Sequence, residues 1–100
     1  MRRRLHLWDE AELDVIDGVA WYEAQRAGLG ADLLIELDAV MQRMAQTPLQ
    51  FPEVKDNVHR ALLHRFPYSV YFKAGEETVD VIAFLHQHRD PRTWEQRIAE

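Results

Sequence analysis

The sequence predicts an α+β domain of two layers, a helical hairpin packed on a small antiparallel sheet in the order β-α-α-β-β-β. Three observations predict it. Two blocks of helical periodicity precede Thr47-Pro48, separated only by Ala27-Gly28-Leu29-Gly30. From Val58 the period drops to two. A nearly continuous apolar run, Val79-Asp80-Val81-Ile82-Ala83-Phe84-Leu85, then reads as a central strand. A sheet with one apolar face must be covered, and the hairpin is the element available to cover it.

Taken in order, Leu5 and Leu7 alternate with Arg4, His6 and Trp8, which predicts a short first strand. Asp9 with Glu12 three residues on has the capping-box spacing. Leu13, Ile16, Ala20 and Trp21 then recur near helical period to about residue 26, and Gly28 fits the C-terminal cap. The link to the next helix is too short to be anything but a tight turn. In the second helix Leu33, Leu34, Leu37, Val40, Met41 and Met44 make one apolar stripe, read as plain core. Thr47-Pro48 ends it, because the residue before proline disfavours the helical region.

A strand is expected over residues 58–66, broken by Pro67. A second has Tyr68, Val70 and Phe72 alternating with Ser69, Tyr71 and Lys73, and Gly75-Glu76-Glu77 turns it into the central strand. Asp90-Pro91 stops that strand and predicts a short terminal helix over residues 91–97, with Asp90 as cap. No repeat, linker or low-complexity stretch interrupts the 100 residues, so one domain over 1–100 is expected.

The composition is that of an ordinary globular protein, 47% apolar and 29% charged. A chain of this size buries roughly 60–70% of its unfolded surface, enough to fold alone with little margin. The absence of cysteine excludes disulfides, thiolate zinc sites and a cysteine nucleophile. Met1-Arg2-Arg3-Arg4 opens like a signal peptide, but no apolar stretch develops after it and no run approaches a membrane span. A cytoplasmic protein is expected.

A net charge of -5 argues against simple nucleic-acid binding. The charge is uneven, however. Residues 9–38 hold nine acids (Asp9, Glu10, Glu12, Asp14, Asp17, Glu23, Asp32, Glu36, Asp38) against Arg26 alone. Residues 55–73 hold Lys55, Arg60, Arg65 and Lys73 against Asp56, with His59 and His64 added. Solvated acidic helix faces are the plain explanation of the first block.

The main polar constellation is His86-Gln87-His88-Arg89-Asp90 at the end of the central strand. Two residues apart on a strand, His86 and His88 share a face. A histidine can give or take a proton near neutral pH, and Arg65, Arg89 or Arg92 can clamp a phosphate. Acid, base and cation are the set needed to cleave RNA through its own 2′-hydroxyl. Equally, one histidine is buried and bonded while the other finishes the strand. A metal site lacks a third ligand, and neither a glycine-rich phosphate loop nor a serine nucleophile motif is present. Trp21 and Tyr22 adjoin on one helix and cannot face the same way, so one of them is expected near the surface as an interface anchor.

Three segments together resemble one family over residues 9–97. They are Trp21-Tyr22-Glu23 with Gly28-Leu29-Gly30, the stretch from Arg60 through Arg65-Phe66-Pro67-Tyr68 to Phe72, and Val81 through His86-Gln87-His88-Arg89-Asp90-Pro91 with Trp94 and Arg97. The chain resembles the RelE/ParE toxin superfamily of type II toxin–antitoxin systems, closer to its ParE-like members. The resemblance implies a cognate, ParD-like antitoxin that binds DNA itself, so that the toxin reaches DNA only through it. It implies no cofactor. ParE-like members poison DNA gyrase and show no enzymatic residues. RelE-like members cut mRNA on the ribosome with basic residues and a Tyr or His near the C-terminus. The acidic charge, the few lysines and the lack of tyrosine after Tyr71 favour the ParE-like side. Arg65, His86, His88 and Arg89 are the candidates if the chain is a nuclease, and Trp21 and Tyr22 the candidate antitoxin contacts.

Overall fold

In the computed structural model, which describes residues 2–99, the chain runs β1 (Arg4–Leu7), α1 (Asp9–Gln25), α2 (Leu29–Gln46), a 3-10 turn (Pro48–Gln50), β2 (Glu53–Lys55), β3 (Val58–Leu62), β4 (Tyr68–Ala74), β5 (Thr78–His86) and α3 (Arg92–Ile98). Met1, at the head of the arginine run, lies outside the described residues. The α+β architecture is the expected one. Within the sheet, order β1-β5-β4-β3-β2, β3, β4 and β5 pair antiparallel as expected, and β2, a short strand not expected, adds antiparallel to the edge of β3. β1 pairs parallel to β5, Leu5 opposite Val79, so the sheet is mixed. Periodicity finds a strand but carries no direction for it.

The helical hairpin covers one face. Leu33, Leu37, Val40 and Met44 of α2 are buried against Val70, Phe72, Val79, Val81 and Phe84. Leu34, placed in the stripe by its spacing, is 44% exposed instead. The opposite face is covered as well. Trp94 of α3 is buried there, stacked on Tyr71 at 5.2 Å between ring centres, with Val58, Ile82 and Leu85 around it. Two covered faces explain why β5 is apolar at odd and even positions alike. A bulge changes the parity: Tyr71 pairs with Ala83 and Phe72 with Val81, leaving Ile82 unopposed. Val79 and Val81 face the hairpin before the bulge, and Phe84 does so after it.

Some local expectations shift. Trp8 takes the N-cap position of α1 without a side-chain cap bond, so Asp9 sits inside the first turn and no capping box forms. Gly28, at φ 94, leads into α2 rather than closing α1, whose cap is Arg26. The carboxylate of Glu23 accepts the Gly28 N–H (3.0 Å) and the Gly30 N–H (3.0 Å), capping α2 from the preceding helix. A Cβ on Gly30 would meet the Val19 carbonyl oxygen at 3.0 Å, so glycine lets the hairpin close. β3 stops at Leu62, four residues before the expected end. His64 and Arg65 instead donate their backbone N–H groups to Glu36 of α2 (2.9 and 3.2 Å). Pro91 is the N-cap of α3, and Asp90 accepts the Arg92 N–H at 2.9 Å.

β1 covers β5 only as far as Val81. Beyond it, side chains replace the missing strand. Arg97 donates through Nη1 to the Ile82 carbonyl (3.0 Å), and Asp14 of α1 accepts the Phe84 N–H (3.0 Å). Arg97 and Asp14 bond each other twice, at 2.6 and 3.0 Å, with side chains only 15% and 14% exposed. This hydrogen bond to Asp14 also raises the Arg97 pKa above its usual value. Replacing Asp14 by Ala leaves a largely buried guanidinium and a strand N–H unpaired, a loss expected to be about 2–4 kcal/mol. Urea denaturation of Asp14→Ala checks this, and Asp14→Leu/Arg97→Leu is expected to recover part of the loss because no charge is then left alone.

Candidate functional site

α1, β4 and β5 meet at the end of the sheet where β5 runs past β1. Gly18 makes the approach close. A Cβ there would lie 3.3 Å from the Phe84 ring and 3.6 Å from Tyr68. The space left is a cleft of about 220 Å³ lined by Asp14, Asp17, Gly18, Trp21, Tyr68, Phe84, Leu85, His86 and Arg89. A smaller hollow of about 210 Å³ adjoins it, between Trp21, Tyr22, Tyr68 and His86.

The wall is a train of aromatic rings. Tyr68 stacks on Phe84 at 4.5 Å and meets His86 edge-on at 5.5 Å. Tyr22 lies edge-on to Phe66 at 4.8 Å and to Trp21 at 4.9 Å. Such edge-to-face contacts hold rings in fixed orientation. Trp21 stands 57% exposed on the rim and Tyr22 is half-buried behind it, so the adjoining pair divides between surface and core edge. Leu13 and Ile16, on the same helix, are 59% and 60% exposed.

β5 ends at His86, so His88 does not share a strand face with it as expected; the turn that follows brings the two rings to 5.4 Å between centres. The His88 N–H donates to His86 Nδ1 (3.1 Å), so in the neutral ring the proton resides on Nε2. Arg89 lines the same cleft as His86. Arg65 does not join them. Its guanidinium pairs with Asp32 at 3.0 Å and lies over Phe66, and it borders a separate hollow with Ile35, Glu36 and Ala39 on the α2 side. The cause is the early end of β3: Glu36 draws the 63–67 segment toward α2. Arg92 is held by Asp90, Nη2 to Oδ2 2.7 Å, and that ion pair keeps the Asp90 carboxyl below its usual range.

Sequence reasoning missed Asp14, Asp17, Gly18 and Tyr68 as members of this cleft. Asp14 and Asp17 look like two more acids in an acidic block, and Gly18 like a weak point in a helix. The period of three and four that unites Asp14, Asp17, Gly18 and Trp21 on one helix face was the available signal. Among the described residues no group of three His, Asp or Glu side chains is placed to hold a metal ion.

The cleft is chemically mixed. Two carboxylates stand with a histidine, an arginine and a phenol, all over an apolar floor. Burial pushes the Tyr68 phenol above its ordinary 10.0; the Tyr22 hydroxyl, Asp14 and Asp17 act in the same direction and Arg89 against it. Burial likewise raises Tyr22. Both rings therefore keep their protons at neutral pH and present hydroxyl donors. Because the folded-state values are raised, this contribution to stability is complete below pH 10.0 and is lost as pH rises through the folded values. In a spectrophotometric alkaline titration, Tyr68→Phe is expected to remove one phenol that ionises above pH 10.0 and to flatten the fall in stability above that pH.

No family model matches the chain. It is 30% identical to Toxin ParE2 of Mycobacterium tuberculosis, in both strain CDC 1551 / Oshkosh and strain ATCC 25618 / H37Rv, with 99% of this chain and 95% of each relative covered. Its fold superposes on a chain of the chromosomal ParDE TA system from P. aeruginosa with a TM-score of 0.74, covering 85% of this chain and 96% of that one at 15% identity, a likeness of fold. With a relative of that identity matched along nearly the whole of both sequences, the chain belongs to the ParE toxin family.

Proposed function

We propose that residues 1–100 form one toxin domain of a type II toxin–antitoxin pair, acting in the cytoplasm on DNA gyrase by binding, and silenced by a ParD-like antitoxin. The observation that carries binding over chemistry is the pairing of charges in the cleft. Asp14 and Asp17 line it beside His86 and Arg89, and Arg65 is held on the other side of the α1–α2 hairpin by Asp32. Asp17 beside Arg89 disfavours a phosphodiester there, and of the arginines that could clamp a phosphate only Arg89 lines the cleft, without Arg65 or Arg92. A surface of fixed aromatic rings with both signs of charge suits a protein partner.

Trp21 is the natural anchor for the antitoxin, with Tyr22 supporting it. A large ring exposed at the mouth of a cleft is the residue type and setting of an interface hot spot. A second reading, RelE-like cleavage of ribosome-bound mRNA, draws support from the 5.4 Å approach of His86 and His88 near Arg89.

Supercoiling of relaxed plasmid by purified gyrase tests the first reading. Inhibition that the antitoxin reverses is expected, and it should persist in His86→Ala and His88→Ala. Full gyrase activity at large toxin excess, with toxicity abolished by those two substitutions, would overturn it in favour of the nuclease. Trp21→Ala is expected to weaken antitoxin binding by about 2 kcal/mol, roughly thirty-fold, in calorimetric titration.

A further inference from the structure

α1 is apolar on two opposite sides, and the fold covers only one of them. The covered side holds Ala11 in the core and Gly18 against Phe84. With 3.6 residues to a turn, Leu13, Ile16, Ala20 and Ala24 fall in one row on the other side. All four are exposed. Leu34 of α2 adds to this surface. It comes one turn after Gly30, where α2 crosses Val19 of α1, and it too is exposed. A single exposed apolar residue is ordinary, whereas an apolar row along one face of a helix is the pattern of a face that packs against something.

Acids run along both borders of the row. Helical spacing puts Glu12 and Glu23 on one border and Glu10 and Asp17 on the other, with Asp9 at the head. Glu23 is engaged in capping α2. Among the described residues Asp9, Glu10, Glu12 and Asp17 have no basic side chain within salt-bridge distance, whereas Asp14 and Asp32 each have one. α1 itself holds no lysine or arginine. Attraction to the helix N-terminus accounts for Asp9, Glu10 and Glu12 in the first turn. It accounts neither for Asp17, farther along, nor for the apolar row that these acids enclose.

We propose that the outward face of α1 docks an amphipathic helix of a partner protein, one that is basic along both edges of its apolar stripe. Charge complementarity selects this occupant. A second copy of the chain is opposed, because row against row, in either direction, sets acid against acid. A helix edged with lysine or arginine instead answers Glu12 on one border and Glu10 and Asp17 on the other, while its apolar side covers Leu13, Ile16 and Ala20. No residue of the row lines the aromatic cleft, and of the bordering acids Asp17 alone reaches it. The surface therefore stands independently of the gyrase and antitoxin readings, which rest on the cleft.

The test titrates the full, isotope-labelled chain with three synthetic peptides of equal length, followed by NMR. The first has a leucine–alanine stripe edged with lysine and arginine, the second the same stripe edged with glutamate, and the third is a scramble of the first without a stripe. The first is expected to bind saturably, to shift the amides of Leu13, Ile16 and Ala20, and to weaken as salt is raised. Leu13→Gln/Ile16→Gln is expected to weaken it about ten-fold with the melting temperature unchanged, since both side chains are exposed. Glu12→Lys/Asp17→Lys is expected to reverse the preference toward the glutamate-edged peptide. Equal binding of the scramble, equal binding of the glutamate-edged peptide to the parent chain, shifts confined to the aromatic cleft, or no saturable binding overturns the proposal. So does self-association of the parent chain in light scattering that Leu13→Gln/Ile16→Gln abolishes, which would assign the row to a second copy.

Discussion

The ion pair between Asp14 and Arg97 is the joint on which the functional end of the molecule depends. β5 runs on from Ile82 to His86 past its last pairing with β1, and a strand edge left open in water invites pairing with another chain. Asp14 and Arg97 close that edge with side chains, one bonding the Phe84 N–H and the other the Ile82 carbonyl. In doing so they tie α1 and α3 to the same strand from opposite faces of the sheet. The partners are about one-seventh exposed, so their attraction is little screened, and the two backbone bonds offset much of the desolvation that makes isolated buried pairs weak.

The position of α1 follows from that joint. With Asp14 fixed on β5, Gly18 one turn later falls against Phe84 and Tyr68, and Trp21 one further turn on reaches the mouth of the cleft. The bulge at Ile82 is part of the same arrangement. It changes the parity of β5, so that Phe84 shares the hairpin face with Val79 and Val81 and turns its N–H toward Asp14. At the far end of α1, Glu23 caps α2 and Gly30 allows the close crossing, so both ends of the helix are anchored by carboxylates that accept backbone N–H groups.

What was legible in the sequence was whatever depends on local periodicity. The stripe of α2 read correctly at Leu33, Leu37, Val40 and Met44, and the alternation of Tyr68, Val70 and Phe72 identified the core side of β4. The apolar run of β5 was legible as a strand, although its reason, a sheet covered on both faces by the hairpin and by Trp94, was not. The failures are all long-range. The direction of β1 is set by pairing 74 residues away, as between Arg4 and Thr78. The end of β3 is set by Glu36, 28 residues upstream of His64. Asp14 meets Arg97 across 83 residues, and nothing in the acidic run around it distinguishes it from its solvated neighbours. The three-residue β2 is too short to carry a period. Among the candidate site residues, His86 and His88 do come together, but through the turn that follows β5 and not through strand alternation, whereas Arg65 was separated from them by a loop whose path no periodicity encodes.

The uneven charge of the chain acquires a physical meaning once the two hollows are compared. Acids of α1 do not merely solvate the hairpin. Asp14, answered by Arg97, and Asp17 line the aromatic cleft together with Arg89, giving a surface with both signs of charge that is apolar at its floor. That combination resists a polyanion and accommodates protein side chains, because each charge can be answered by its opposite without importing a net field. In the hollow between Arg43, Arg60 and His64 the reverse holds, for no carboxylate lines it. A net charge computed over the whole chain averages these two environments and describes neither. The unit that decides what a surface recognises is the desolvated cluster, since screening over roughly 8–10 Å at physiological ionic strength isolates one cluster from the next.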